Sequence, residues 1–147
     1  MREGYSSPMR RASEMPHVAR IVQVGLRGVG SARPSDVADA LAAGNVLVTA
    51  RQLRERGVAS VLRQFAPDER IFLSFDCDGL DPSVMPAVSA PSPGGLTYAE
   101  ASELVRGLGP RLVGAVFTEY MPALDGDALG ALVVARLMIT GVAALAR

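Results

Sequence analysis

Residues 71–96 read IFLSFDCDGLDPSVMPAVSAPSPGGL, and they join a run of apolar residues to a cluster of carboxylates. The apolar part, residues 71–75, predicts a strand that is covered on both faces in a parallel sheet. Asp76, Asp78 and Asp81 follow it. Because side chains two positions apart on a strand point the same way, we expect the carboxylates of Asp76 and Asp78 to meet just past the C-terminal end of the strand. In open α/β sheets, ligands bind at that edge.

The paired aspartates allow two interpretations. Two convergent carboxylates repel each other unless a proton or a cation lies between them, and hard oxygen ligands favour Mg²⁺, Mn²⁺ or Ca²⁺. A divalent metal between Asp76 and Asp78 is therefore the first interpretation. The second is an ordinary Asp-Gly turn at a strand end, whose carboxylates only cap backbone amides. An EF-hand fits poorly, because Gly79 comes two positions early and no Glu stands at the twelfth place of the loop.

Three parts of this stretch together resemble a known motif: SFDCD at residues 74–78, DP at 81–82 and PSPGGLT at 91–97. They are similar to the second metal-binding signature of the ureohydrolases, the family of arginases and agmatinases. The resemblance implies a three-layer α/β/α fold with a mainly parallel sheet, a centre of two manganese ions, and hydrolysis of a guanidinium group that releases urea. It also implies that Asp76 and Asp78 both bind manganese.

Glu119 is the next carboxylate at a predicted strand end, after the apolar residues 112–117. Parallel neighbouring strands would bring it to the same edge as the two aspartates. A solvent-exposed strand end without a ligand is the alternative. With Pro122 and Asp125 behind it, Glu119 resembles the glutamate of the same family that contacts the substrate guanidinium. A carboxylate suits that task because it can accept two parallel hydrogen bonds from a planar guanidinium.

The composition fits one domain over residues 1–147, and a hydrophobic content of 49% is enough for a core. Fifteen basic and fifteen acidic residues give a formal net charge of zero, so we expect neither nucleic acid nor a membrane as a partner. The single cysteine, Cys77, cannot form an internal disulfide, and we expect it to pack in the core.

Location is predicted from two segments. The N-terminal residues lack the apolar region of a secretory signal, which makes the cytoplasm the default location. Residues 129–146 are the most apolar segment, but Arg136 interrupts them. We therefore expect a buried amphipathic helix there rather than a membrane span.

Apolar patterns alternate between strand and helix along the chain, which predicts a parallel sheet with helices outside it. Residues 1–18 are polar and contain two prolines, so they predict an irregular segment. Ser35 is the expected N-cap of the first helix, and Thr97 with Glu100 is the expected capping box of a later one. The predicted strands are residues 21–24, 46–48, 71–75 and 112–117, and the predicted helices are 35–43, 50–57, a short one ending at 65, 97–108 and 127–146.

Two other sequence features predict no ligand site. The glycine-rich loop at residues 26–30 matches neither a P-loop nor a full dinucleotide fingerprint. Arg51, Arg54 and Arg56 form a basic cluster on one predicted helix. We expect this cluster to face water, because nearby acidic residues offset its charge.

The resemblance covers only the C-terminal half of a ureohydrolase, from about Tyr5 onward. The other metal ligands of the family are an N-terminal histidine and an Asp-Ala-His-x-Asp strand end, and nothing in this chain resembles either. Its single histidine, His17, is expected on the surface or in a turn. Residues 5–11 resemble the segment in which agmatinases carry a His-Gly pair, and that pair is absent here.

Two functions therefore stay open. The first is a manganese-dependent hydrolase of a small guanidino compound, impaired because two-metal hydrolysis requires a full set of ligands around both ions. The alternative is a non-catalytic half-domain that binds metal weakly or serves in assembly. In either case exposed sheet area predicts a homo-oligomer or a partner chain that supplies the missing half.

Overall fold

The computed structural model describes residues 7–29 and 32–145, which alternate between strands and helices. The strands are β1 (Val22–Leu26), β2 (Val46–Thr49), β3 (Ile71–Asp76) and β4 (Leu112–Thr118). The helices are α1 (Pro8–Ser13), α2 (Pro34–Ala42), α3 (Ala50–Arg56), α4 (Val58–Leu62), α5 (Tyr98–Leu108) and α6 (Leu129–Leu145). Short 3₁₀ turns follow β3, α5 and β4, at Cys77–Gly79, Gly109–Arg111 and Pro122–Leu124.

Within the described residues the strands form two parallel pairs, β1 with β2 and β3 with β4. No backbone ladder joins the pairs in this part of the chain, and arginine side chains connect them instead. Arg20, before β1, binds Glu69, before β3, at 2.9 Å. Arg27, after β1, donates to the backbone carbonyls of Asp78 and Leu80. The predicted parallel pairing is confirmed, whereas the four strands do not form the one continuous sheet that the sequence predicts.

One face of the β3–β4 pair is packed and the other is open. Leu73 and Phe75 pack against the buried core, and the ring of Phe75 stacks on that of Phe117 with centroids 5.1 Å apart. On the opposite face, Phe72 is 65% exposed. The prediction of a strand covered on both faces is therefore wrong for the described part of the chain. The packed face contributes Leu73, Phe75 and Phe117 to the core, whereas Phe72 on the other face is exposed to solvent.

Helix α6 is apolar over most of its surface, and the exposed Arg136 is its one charged residue. Its buried stripe includes Leu137, while Ile139 and Val142 on the outer side are 65% and 67% exposed. An apolar cavity of about 360 Å³ opens between α6 and β4. The predicted helix is confirmed to within two residues at its start, and its last predicted residue lies outside the described part. Its predicted amphipathic character is wrong, because the outer side is apolar as well. No helix in the described ranges is long and apolar enough to cross a membrane.

The first two helices differ from their predictions. Helix α1 lies within residues 1–18, for which the sequence predicts an irregular segment, although the first six residues are outside the described part. A proline is tolerated in a first helical turn because its missing N–H would have no intrahelical partner there, and Pro8 takes this place. Pro34 takes the same position in α2, so Ser35 lies inside the helix and is not its N-cap.

The loop between β3 and α5 is fixed at its far end by the predicted capping box. The backbone N–H of Glu100 donates to Oγ1 of Thr97 at 3.2 Å, and the backbone N–H of Thr97 donates to Oε2 of Glu100 at 2.8 Å. Together these bonds satisfy two backbone donors that have no partner within the helix. The loop that follows the aspartates therefore ends at a well-defined helix start.

Candidate active site

The two aspartates of the predicted metal site lie on different elements. β3 ends at Asp76, and the chain turns at once into the 3₁₀ turn Cys77–Gly79, which carries Asp78. The alternation of strand side chains therefore does not bring them together, in contrast to the prediction. They are joined instead by a hydrogen bond from the backbone N–H of Asp78 to Oδ1 of Asp76, at 3.3 Å.

Asp76 is placed where its ionisation is disfavoured. It is exposed as a whole residue, but partial burial of its carboxyl, followed by the negative charge of Asp78, raises the pKa of Asp76 to about 6. The charge of Glu119 acts in the same direction, and a hydrogen bond from the backbone of Asp78 opposes it. Like charges raise a pKa in this way only at short range. The structure thus brings Asp76, Asp78 and Glu119 to one edge of the β3–β4 pair.

Glu119 follows β4 at the point where the chain leaves the strand. In the β3–β4 register Asp76 is paired with Thr118, so Glu119 lies one residue further along the same edge. Its φ of 63° is uncommon for a residue other than glycine. The hydroxyl of Ser89 donates to Oε2 of Glu119 at 3.2 Å. Strained backbone of this kind persists only where the surrounding structure imposes it, and it concentrates at functional sites.

Asp81 has a different role from the other two aspartates. Its carboxylate accepts hydrogen bonds from the hydroxyl and the backbone N–H of Ser83, at 2.6 and 3.0 Å, and from the backbone N–H of Gly94, at 2.8 Å. These bonds, with that of the Ser83 hydroxyl as the largest influence, lower the pKa of Asp81 to about 2. Asp81 thus caps backbone amides and closes the base of the loop of residues 82–95, which contains four prolines and is called the proline-rich loop below.

Two further side chains lie where the sequence predicts them. Cys77 is fully buried, and burial raises the pKa of its thiol to about 11, so it is a packed and unreactive cysteine. His17 lies exposed in a turn. Residues 5 and 6, which belong to the segment that resembles the agmatinase His-Gly region, lie outside the described part. In the ranges that the structure describes, no group of three His, Cys, Asp or Glu side chains is arranged to hold a metal ion.

A family model decides the relationship of this chain to known proteins. The model of the arginase family matches residues 2–143. This chain belongs to the arginase family. Among its relatives, the guanidinopropionase of Pseudomonas aeruginosa is 37% identical over 140 residues, which cover 91% of this chain and 44% of the relative. An agmatinase of Sodalis glossinidius is 39% identical over 100 residues, which cover 65% of this chain and 33% of the relative.

Solved structures of arginase-family enzymes share the fold. The formimidoylglutamase of Bacillus subtilis superposes with a TM-score of 0.77 at 27% identity, over 84% of this chain and 40% of that structure. The agmatine ureohydrolase of Thermoplasma volcanium superposes with a TM-score of 0.76 at 24% identity, over 86% of this chain and 42% of that structure. The arginase-like α/β fold predicted from the sequence is confirmed as a partial one, because the chain spans less than half the length of these proteins.

The three arginines of the basic cluster of this arginase-family chain are exposed, and one of them also binds a distant loop. Arg51 pairs with Glu55 on the surface of α3 at 2.7 Å, as a solvated helix face would. Arg54, by contrast, donates to the backbone carbonyls of Gly94 and Gly95 at 2.8 and 2.6 Å. The predicted solvent-facing position of Arg54 is confirmed, and the structure adds that its guanidinium also binds this loop. Forty residues separate Arg54 from the first of these partners, so no local sequence pattern indicates the contact.

Asp125 holds the start of α6 near the site. Its carboxylate accepts hydrogen bonds from the backbone N–H groups of Gly130 and Ala131, at 2.9 and 2.8 Å, and from the hydroxyl of Tyr120, at 2.8 Å. Tyr120 directly follows Glu119, so this bond connects the helix start to the strained segment. An acidic residue shortly before an apolar run is a helix-start signal, and it could have indicated this role from the sequence.

Proposed function

We propose that this chain supplies part of a manganese-dependent site that hydrolyses the guanidino group of a small molecule and releases urea. Asp76 and Asp78 are the proposed manganese ligands, and Glu119 is the proposed contact to the substrate guanidinium. The observation that carries the proposal is that partial burial, together with the nearby charges of Asp78 and Glu119, raises the pKa of Asp76 to about 6. A carboxyl group whose pKa is raised by burial and by neighbouring charges is typical of functional sites.

The proposed ligand atoms are of a type that manganese binds. Asp76 and Asp78 offer hard carboxylate oxygens, and no arginine of the described residues forms an ion pair with them. A bound divalent ion would supply Lewis-acid activation of water and of the substrate. Two aspartates do not complete a coordination shell, and the described residues contain no larger ligand group. Impaired activity of the chain alone follows from that shortage.

Glu119 supports guanidinium binding through its charge and its fixed position. A planar guanidinium donates two parallel hydrogen bonds to a carboxylate, and the strength of the pair increases where water is excluded. One oxygen of Glu119 already accepts a hydrogen bond from Ser89, at 3.2 Å. Ser89 therefore orients the carboxylate and shares the oxygen that a bidentate guanidinium would use. The names of the relatives, guanidinopropionase and agmatinase, support a small guanidino substrate.

A non-catalytic half-domain is the second candidate, and the open apolar surface favours it. Phe72 on one side of the β3–β4 pair and Val142 on α6 are both more than 60% exposed, at 65% and 67%. Monomeric proteins seldom leave large contiguous apolar surfaces in water. A homo-oligomer, or a partner chain with the missing half of the fold, is proposed to cover the open face of the β3–β4 pair and the exposed apolar residues of α6. We place the protein in the cytoplasm by the same proposal, in keeping with its single free cysteine.

Urea release separates the two candidates. The purified chain would be incubated with Mn²⁺ and with agmatine, arginine or guanidinobutyrate, and urea would be measured over time. We expect weak release that depends on Mn²⁺, because the chain contains two of the proposed metal ligands and the proposed guanidinium contact. The Glu119→Gln variant should lose it, since a neutral amide cannot pair with the guanidinium charge. No release at saturating Mn²⁺ would favour the half-domain.

A further inference from the structure

Arg27 links three separate segments around the proposed site. It follows β1 directly and is half-buried. Its guanidinium donates to the backbone carbonyl groups of Gly25, Asp78, Leu80 and Ser92. The distances to the carbonyl oxygens of Leu80 and Ser92 are 3.3 and 2.9 Å. The side chain of Arg27 thus binds both the turn after β3 and the proline-rich loop.

The turn that carries Asp78 is held at its two ends by different segments. Within Cys77–Gly79 it is closed by one backbone hydrogen bond, from the N–H of Leu80 to the carbonyl of Cys77, at 3.2 Å. At its Gly79 end, the backbone N–H of Leu96 donates to the carbonyl of Gly79 at 3.0 Å. The carbonyl of Asp78 itself accepts a hydrogen bond from Arg27, as does that of Leu80. A single 3₁₀ turn has poor hydrogen-bond geometry of its own, so the direction of Asp78 depends on the Arg27 side chain in addition to the bridge to Leu96.

We infer that Arg27 is a positioning residue for Asp78, which it aims toward Asp76. The inference rests on the proposed function, in which Asp78 is a metal ligand. The guanidinium is suited to this role because its donors form a rigid planar fork, which can bind several carbonyl groups in fixed directions. Residues that orient metal ligands without touching the metal typically change metal affinity about 10- to 100-fold when they are replaced.

Arg54 provides a matched control. It also donates to two backbone carbonyls of the proline-rich loop, those of Gly94 and Gly95. Its bonds lie at the α5 end of that loop, and it reaches the turn of Asp78 only indirectly, because Gly95 packs against the backbone of Leu80 and Asp81. If the arginines only stabilise the loop, replacing either should have the same effect. If Arg27 positions Asp78 directly, its replacement should weaken metal binding more than the replacement of Arg54.

The experiment compares Arg27→Gln, Arg27→Lys and Arg54→Gln with the unaltered chain. Mn²⁺ affinity is measured by the loss of the free-ion electron paramagnetic resonance signal, and amide hydrogen exchange of Leu80 is measured by NMR without metal. We expect Arg27→Gln to weaken Mn²⁺ binding about 10-fold or more and to accelerate the exchange of Leu80 about 10-fold. Arg27→Lys should be intermediate, because one ammonium cannot replace the fork.

Arg54→Gln should change both measurements clearly less than Arg27→Gln does, while it lowers the melting temperature slightly. Equal loss of Mn²⁺ affinity in the Arg27→Gln and Arg54→Gln variants, or unaltered exchange of Leu80 in Arg27→Gln, would overturn the inference. If the unaltered chain binds no Mn²⁺, the metal role in the proposed function fails. The positioning role of Arg27 is then decided by the exchange of Leu80 alone, which needs no metal.

Discussion

Replacing Asp76 by Asn should stabilise the metal-free protein at pH 8 and, at the same time, weaken its binding of Mn²⁺ at least about 100-fold. The loss of affinity follows from the removal of a metal ligand. This has a larger effect than the replacement of a residue that only orients a ligand, which changes metal affinity about 10- to 100-fold. The gain in stability follows from the pKa of about 6 of Asp76. The folded protein disfavours the charge that Asp76 carries at pH 8, and Asn carries none.

The size and the pH range of this gain follow from the same pKa. The folded value of about 6 lies above the value of about 3.9 for an unfolded chain, so the folded state binds more protons between these pH values. The stability of the unaltered protein therefore falls as the pH rises from about 4 to about 6. Because Asp76 is exposed as a residue, solvent screening reduces the expected gain of the variant to about 1 kcal/mol. This corresponds to about 3 °C in melting temperature.

Thermal unfolding followed by circular dichroism at pH 4 and pH 8, with and without Mn²⁺, measures both effects. The matched control is Asp68→Asn, because Asp68 is an exposed aspartate in the turn before β3. We expect the control to change neither stability nor the response to Mn²⁺. A melting temperature of Asp76→Asn below that of the unaltered protein at pH 8 would show that Asp76 stabilises the fold, against this account.

Replacing Gly95 by Ala should destabilise the protein by about 3 kcal/mol and disturb the turn that carries Asp78. A Cβ at position 95 would lie 2.4 Å from the carbonyl carbon of Leu80 and 2.5 Å from the backbone nitrogen of Asp81. These are backbone atoms, so no side-chain rotation can relieve the clash, and the loop must move away from the turn. We expect a melting temperature about 10 °C lower and a weaker response to Mn²⁺.

Gly79→Ala is the control for Gly95→Ala. Gly79 lies in the same turn as Asp78, but a Cβ there would meet no atom within 4 Å. Its substitution should leave stability and Mn²⁺ binding nearly unchanged. If Gly95→Ala melts at the temperature of the unaltered protein, the close approach of the loop to the turn is not a property of the protein in solution.

The parts of the fold that depend on neighbouring residues could be predicted from the sequence. Strand β3, the capping box of Thr97 and the buried Cys77 each follow from patterns within a few residues. The parallel pairing that brings Glu119 to the edge of Asp76 follows from the alternation of strands and helices. Coverage of Phe72 could not be predicted, because it depends on which elements pack over β3.

The hydrogen bonds that support the site could not be predicted from the sequence for a related reason. Arg27 and Asp78 are 51 residues apart, and Ser89 and Glu119 are 30 residues apart. Hydrogen bonds between such positions exist only once the fold has formed, and neither an arginine after a strand nor a serine in a loop signals its partner. Asp76 and Asp78 are joined by a turn, and not by the strand alternation that the sequence predicts, because β3 ends at Asp76.

The most direct test of the central claim is a crystal structure of the chain grown with MnCl₂, with an anomalous difference map measured at the manganese absorption edge. The account predicts a peak within bonding distance of the carboxylates of both Asp76 and Asp78, on the same edge as Glu119. A map with no peak at these carboxylates, or with manganese bound only elsewhere on the molecule, would contradict it.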